Sequence, residues 1–145
     1  AIVADGKRGG LTTEDCTKID EIPYDFIRKR LTIVLTQDSD EPARHRIVTK
    51  GAYTQMLDAC TSVLIDGSEQ ALDAGQRART DGYFRRCGED GYRVLAVATR
   101  QVLARTSYSY EDETAMCLVG FLLFSDPPKG DAGRAIRNLA VGHGA

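Results

Sequence analysis

KIDEIPYDFIRKRLTIVL, residues 18–35, holds an acidic lead-in, a Pro-aromatic pair, a basic cluster and a strand within eighteen positions. Leu31, Thr32, Ile33, Val34 and Leu35 read as the strand: β-branched residues recur, and Leu31, Ile33 and Leu35 form its expected apolar face. Just upstream stand Tyr24 and Phe26, then Arg28, Lys29 and Arg30. A ring a few residues before a cluster of cations, on a strand edge, can hold a flat base and a phosphate together. The ring gives a stacking face and the cations meet the negative charge. A core aromatic beside a solvated charge run accounts for the same residues, so this stretch alone leaves both readings open.

The chain has 145 residues, the size of one domain, with 42% hydrophobic and 28% charged residues, enough for a packed core. Its net charge of -2 argues against a dedicated nucleic-acid binder, which needs a basic excess. The cations near Arg28 suit one small anion better than a polymer. Cys16, Cys60, Cys87 and Cys117 are widely spaced, and the histidines are His45 and His143 only. No zinc site is expected, and the cysteines read as free thiols of a reducing compartment. No signal peptide is visible, and the longest apolar run, residues 118–124, is too short to span a bilayer.

Taken in order, residues 1–4 read as a helix tail ended at Gly6, and residues 12–15 as a polar connector. Residues 18–22 form a short strand stopped by Pro23. The strand of residues 31–36 turns through residues 37–43, QDSDEPA, into a returning strand at residues 46–49. Gly51 follows that strand directly, where the missing side chain lets backbone or ligand come close. Tyr53, Met56, Leu57 and Cys60 fall at helical spacing. Residues 62–65 form a strand ended by the Asp66-Gly67 turn, and residues 68–87 a weak helix interrupted by Gly75 and Gly82 and capped at Gly88. Leu72, Tyr83 and Phe84 are its core-facing residues. Residues 91–100 are a strand, residues 101–114 a polar loop, and residues 118–124, apolar on both faces, a central strand. Two prolines stop it at residues 126–129, and weak helical spacing at Ala132, Ile136 and Leu139 follows. The expected fold class is α+β: a mostly antiparallel sheet of about six strands with two or three flanking helices.

For catalysis the chain offers no G-x-S-x-G, HExxH, Walker A or GxGxxG motif, and no catalytic residue is assigned. Binding features are clearer. Tyr24 with Lys29, Lys50 with Gly51, and Arg93 each set an aromatic or cationic side chain at a strand end. Any one of them is also an ordinary surface feature.

Together the motifs KIDEIPYDFIRKRLTIV, VTKGAYTQML, DGYRVLAVATR and GFLLFSDPPK, spread over residues 18–129, resemble the cytosolic nucleotide-binding domain of P-type ATPases, most closely the bacterial magnesium-transporting group. The resemblance implies a nucleotide-binding domain over residues 1–129 and the linker and start of a phosphorylation domain, poorly ordered alone, over residues 130–145. It implies that Tyr24 takes the place of the family's adenine-stacking phenylalanine, that Lys29 neighbours the nucleotide, and that Lys50 lines the adenine pocket. Gly51 stands where close packing leaves no room for a side chain, and Arg93 reaches the phosphates. The family's acidic residue on an upstream helix has no counterpart in the sequence as given. By the same resemblance the ligand is ATP with Mg²⁺. The partners are the phosphorylation and actuator domains of a membrane-embedded transporter, and the place is the cytoplasmic face of the cell membrane. The DKTG aspartate that receives the γ-phosphate is not in this chain, and Asp126 takes a hinge position, so ATP is expected to be held and not hydrolysed. The alternative is an interaction module that keeps the fold without the nucleotide, with its partner surface near Tyr108 and Tyr110.

Overall fold

The computed structural model of the chain describes residues 16–37, 44–125 and 134–137. The expected helix tail at residues 1–4, the connector at residues 12–15, most of the turn at residues 37–43, the hinge at residues 126–129 and most of the expected final domain lie outside them. In chain order the elements are β1 (Cys16–Asp25), β2 (Arg30–Gln37), β3 (Arg44–Ala52), α1 (Tyr53–Ala59), β4 (Cys60–Ile65), β5 (Ser68–Ala71), α2 (Ala74–Glu89), β6 (Arg93–Leu103), a 3-10 turn (Tyr110–Asp112), β7 (Met116–Phe124) and β8 (Arg134–Arg137). One sheet takes the strands in the order β1-β2-β3-β6-β7-β4-β5, with β8 also paired to β7. The pairing is antiparallel except between β4 and β7. This is the expected α+β architecture, with eight strands among the described residues in place of about six.

Both helices lie on one face of the sheet. Tyr53 opens α1 and its ring centroid is 5.6 Å from that of Phe121; Tyr83 of α2 stacks on the same ring at 5.2 Å. Phe121 of β7 is paired with Ala96 of β6, which is paired with Gly51 of β3, so the covered face carries these three and the residues alternating with them. Met56, Val34, Ile47, Ala96, Ala98, Leu118 and Phe121 are fully buried there. Burying this apolar surface is the main driving force for closing the helices on the sheet.

Several local expectations are corrected. The buried residues of β2 are Thr32 and Val34, while Leu31, Ile33 and Leu35 are half-buried on the other face. The hydroxyl of Thr32 is satisfied in the interior, lying 2.7 Å from that of Thr49 and donating to Glu113 at 2.6 Å, so a threonine can occupy a core position. β1 runs past Pro23 to Asp25, because it is an edge strand and the proline falls in a register shift between Ile22 and Asp25. Residues 68–71 are strand and not helix: Asp66 and Gly67, with φ of 51° and 78°, make a tight hairpin that folds β5 back on β4. The helix begins only after Asp73, whose carboxylate accepts from Gln76 N–H at 2.8 Å. It passes through Gly88 and ends at Asp90, ahead of Gly91 at φ 91°.

β6 continues to Leu103, and residues 104–115 are tied down where an open polar loop was expected. Ser109 and Asp112 cap the 3-10 turn reciprocally, and Arg100 donates to the carbonyls of Asp112 and Thr114. Tyr108 O–H lies 2.5 Å from His45 Nδ1. Residues 134–137 are extended and pair with Phe121–Phe124 of β7, where helical spacing was read.

Candidate functional site

The turn between β1 and β2 is held by several hydrogen bonds and an ion pair. Asp25 accepts from the backbone N–H groups of Ile27 and Arg28 at 2.9 and 2.6 Å and pairs with the Arg28 guanidinium. Its own carbonyl accepts from Lys29 N–H at 2.8 Å. Lys29 is in the left-handed region at φ 55°, and its carbonyl accepts from Ala52 N–H at 3.1 Å. These bonds hold the turn against the end of β3. Gly51 makes the approach possible: a Cβ there would lie 2.4 Å from the Lys29 carbonyl oxygen.

Of the three neighbouring cations, two point inward. Arg28 donates Nε and Nη2 to the two carboxylate oxygens of Glu113 at 2.9 and 3.0 Å. Arg30 stands 3.5 Å from the same carboxylate and donates to the Gln55 carbonyl at 2.6 Å. The Glu113 bond raises the Arg28 pKa, against the penalty of burial and with help from Asp25. Asp25, Arg28, Arg30 and Glu113 thus sum to zero charge. Lys29 is exposed and, among the described residues, has no ion-pair partner. The same holds for half-buried Lys50 and exposed Arg93. The basic cluster read in the sequence therefore resolves into two internal arginines and one outward lysine.

Register places the ring and the lysines. Tyr24 falls within the β1 register shift, between the Ile22–Thr32 and Asp25–Arg30 pairs, and so stands opposite Leu31 without being regularly paired to it. Leu31 pairs with Lys50, and Lys50 with Val97. Leu31, Lys50 and Val97 therefore form a row across β2, β3 and β6, on the face the two helices leave open, and Tyr24 stands beside it on the edge strand β1. Arg93 shares this face by alternation but lies four residues along β6 from Val97, about 13 Å at ~3.3 Å per residue. It borders a cleft of about 610 Å³ whose walls include Ala52, Tyr53, Phe84, Leu95 and Phe124. Tyr24, Lys29, Lys50 and Gly51 do not line that cleft. So Tyr24 on β1 and Lys50 on β3 stand to either side of Leu31, Lys29 and Gly51 meet through backbone, and Arg93 stands apart.

Tyr24 is 48% exposed, with the Phe26 ring edge-on to it at 5.6 Å between centroids. An exposed face of this kind can take a flat aromatic ligand. Among the described residues no group of three or more His, Cys, Asp or Glu is arranged to hold a metal ion. No helix of the described residues is long and apolar enough to cross a membrane.

A family model for the cytoplasmic domain N of P-type ATPases matches residues 7–131, most of the chain. The chain belongs to that family. This N domain is 38% identical over 123 residues to the Magnesium-transporting ATPase, P-type 1, of Salmonella typhimurium, and 35% identical over the same length to that of Escherichia coli K12. Each match covers 84% of this chain and 13% of the relative. It is also 26% identical over 142 residues to the Calcium-transporting ATPase of Bacillus subtilis, covering 94% of this chain and 16% of that protein. The chain thus spans about an eighth of the length of the magnesium-transporting relatives.

Sequence reasoning missed Glu113, the residue on which the inward side of the N domain's turn converges. It was placed in a polar loop, and nothing in its neighbours marks it. Its partners Arg28 and Thr32 lie 85 and 81 residues away. A lone glutamate ahead of an apolar run carries no signal of burial.

Proposed function

We propose that this N domain binds ATP on the open face of its sheet, for phosphoryl transfer to an aspartate held in another domain of a magnesium-transporting P-type ATPase. The observation that carries the reading is the place of Tyr24 on the edge strand, opposite Leu31 and next to the Leu31–Lys50 pair. Tyr24 and Lys50 flank Leu31, so a base lying over Leu31 meets the tyrosine ring on one side and an ammonium on the other. Gly51 and the Lys29 carbonyl set the height of the turn beside it, and the Lys29 ammonium points away from the internal arginines. Arg93, further down β6, is the fork that meets phosphate oxygens at the far end of an extended nucleotide. Lys29 and Lys50 near one exposed ring, with no ion-pair partner among the described residues, fit an anionic aromatic ligand, and local cations can serve it in a chain of net charge -2.

Magnesium enters as part of the nucleotide, its coordination supplied by phosphate oxygens and water. The chain's own work is to stack the base, neutralise phosphate charge and present the γ-phosphate. It supplies no aspartate for the transfer, since DKTG is not in the sequence. The partners are the phosphorylation and actuator domains, and the setting is the cytoplasmic face of the membrane. Residues 130–145 are read as the lead into the phosphorylation domain.

Titration of the isotope-labelled chain with ATP tests this: amide and side-chain shifts near Tyr24, Lys50 and Arg93 move together with one affinity. Tyr24→Ala weakens binding by about 1–3 kcal/mol, the range of base stacking on aromatic side chains, while Tyr24→Phe retains most of it. Shifts unmoved at all three places with millimolar ATP dispose of the reading. That outcome favours an interaction module, for which the exposed tip residues Phe26 and Ile27, at 84% and 92% exposure, are the surface to examine.

A further inference from the structure

We propose that Glu113 positions the Tyr24–Lys29 turn, and through it the contacts this domain makes with its nucleotide; the second half of this rests on the ATP reading above. The Glu113 side chain has no exposure to solvent. Its two oxygens are fully engaged: one takes Arg28 Nε at 2.9 Å, the other Arg28 Nη2 at 3.0 Å and Thr32 Oγ1 at 2.6 Å. A buried carboxylate held this way cannot relax into water when one partner is lost.

The two arginines it gathers are the residues immediately before and after Lys29. With Arg28 and Arg30 both drawn inward to one carboxylate, the intervening residue is forced outward and into the left-handed backbone it adopts. Lysine gains nothing locally from that conformation, so something else must hold it. The hold continues through Arg28 to Asp25, which caps the turn and directly follows Tyr24. One glutamate in the segment before β7 therefore sets the backbone between the stacking ring and the outward lysine. It also registers the turn against β3, because Lys29 O accepts from Ala52 N–H.

Glu113 does not touch the open face. It lies beneath the sheet, on the side of Thr32 and Thr49, so it acts through the turn and never on the ligand. Arg30 links the same carboxylate to α1 by its bond to the Gln55 carbonyl. The turn, the 3-10 segment and the first helix are thereby tied at one point.

Hydrogen exchange and a nucleotide-binding cycle test this together. In the ligand-free chain, Glu113→Gln is expected to speed exchange of the Lys29 and Ala52 amides by about tenfold or more, while the Ala98 amide in the sheet centre is unchanged. Exchange unaltered at Lys29 and Ala52 overturns the proposal. So does exchange that rises equally at Ala98, because that is general loss of stability. This arm needs no ligand, so it decides on Glu113 even if wild-type chain fails to bind ATP, which would count against the ATP reading alone. Where ATP binds, Glu113→Gln is expected to lower affinity about tenfold and to abolish most of the further loss from Lys29→Ala, since contacting residues couple and distant ones add. Strictly additive effects overturn the link from turn to ligand. If Glu113→Gln does not fold, Arg28→Gln cuts the same link while leaving the carboxylate paired with Arg30 and Thr32, and the same readouts apply.

Discussion

A Cβ on Gly51 would stand 2.4 Å from the carbonyl oxygen of Lys29 and 3.1 Å from the Cα of Arg30. The glycine is required by space and not by backbone conformation, since its φ is not in the left-handed region. Arg30 Cγ also comes to 3.1 Å, but the closest obstruction is a backbone oxygen, which cannot yield as a side chain can. Gly51→Ala must push the turn away from β3 and strain the Ala52-to-Lys29 hydrogen bond. The expected cost is about 1–3 kcal/mol of stability, the usual range for overpacking, read from the midpoint of urea unfolding. A variant as stable as wild type would mean that the turn is not seated on β3.

Gly82 behaves in the opposite way. It lies inside α2, and a Cβ there meets nothing within 4 Å. Gly82→Ala removes backbone freedom from the unfolded chain and improves helix propensity without a clash, so it should stabilise by roughly 0.5–1 kcal/mol. Chemical denaturation of the two proteins side by side measures it; a loss of stability would place an unseen neighbour over that helix face.

The sheet was legible where hydrophobic pattern and sheet position agree. The run that forms β7 is apolar because strands pair with it on either side and Met116, Leu118 and residues 120–123 are buried. Legibility failed where polar residues are buried or apolar ones left half-exposed. Alternation in β2 pointed to Leu31, Ile33 and Leu35 as the core face, and the structure buries Thr32 and Val34 instead. The reason is Glu113, which supplies a partner for Thr32 from 81 residues away. Local periodicity cannot register such a bond. In the same way Arg28, Lys29 and Arg30 read as one cluster, although the fold turns two inward and one outward. The β5 hairpin was signalled by Asp66-Gly67, but helical spacing further on was extended back over it.

Thiol reactivity should divide the cysteines by burial. Cys60 is 7% exposed, and its pKa is pushed up to about 12 by burial first and then by repulsion from Cys117. At pH 8 its thiolate fraction is on the order of 10⁻⁴, and only the thiolate reacts. Cys87 is buried as well, whereas Cys16 and Cys117 are half-buried. Burial raises the Cys117 pKa too, though a Ser62 hydrogen bond opposes it. Brief alkylation of the native chain followed by mass mapping should therefore mark Cys16 and Cys117 and leave Cys60 and Cys87 until denaturant is added. Early label on Cys60 would contradict the packing of β4 against β7.

The turn should also give the fold an acid-sensitive component. The Asp25 pKa is lowered first by the backbone N–H of Arg28, against a burial penalty, and further by the Arg28 charge and the N–H of Ile27. The folded value is thus below the unfolded one, which is about 3.9. A group of this kind stabilises the fold fully above its unfolded pKa and loses that contribution as pH falls through the folded one. Asp25→Asn keeps the shape and one acceptor but removes the charge that faces Arg28. At pH 7 the variant should melt below wild type, and the gap should narrow as pH falls below the unfolded value and wild-type Asp25 takes up its proton. Thermal unfolding of both proteins across that range measures the gap. A difference that stays constant with pH would show that the Asp25 carboxylate carries no charge-dependent role in the turn, and that hydrogen bonding alone holds Arg28 in place.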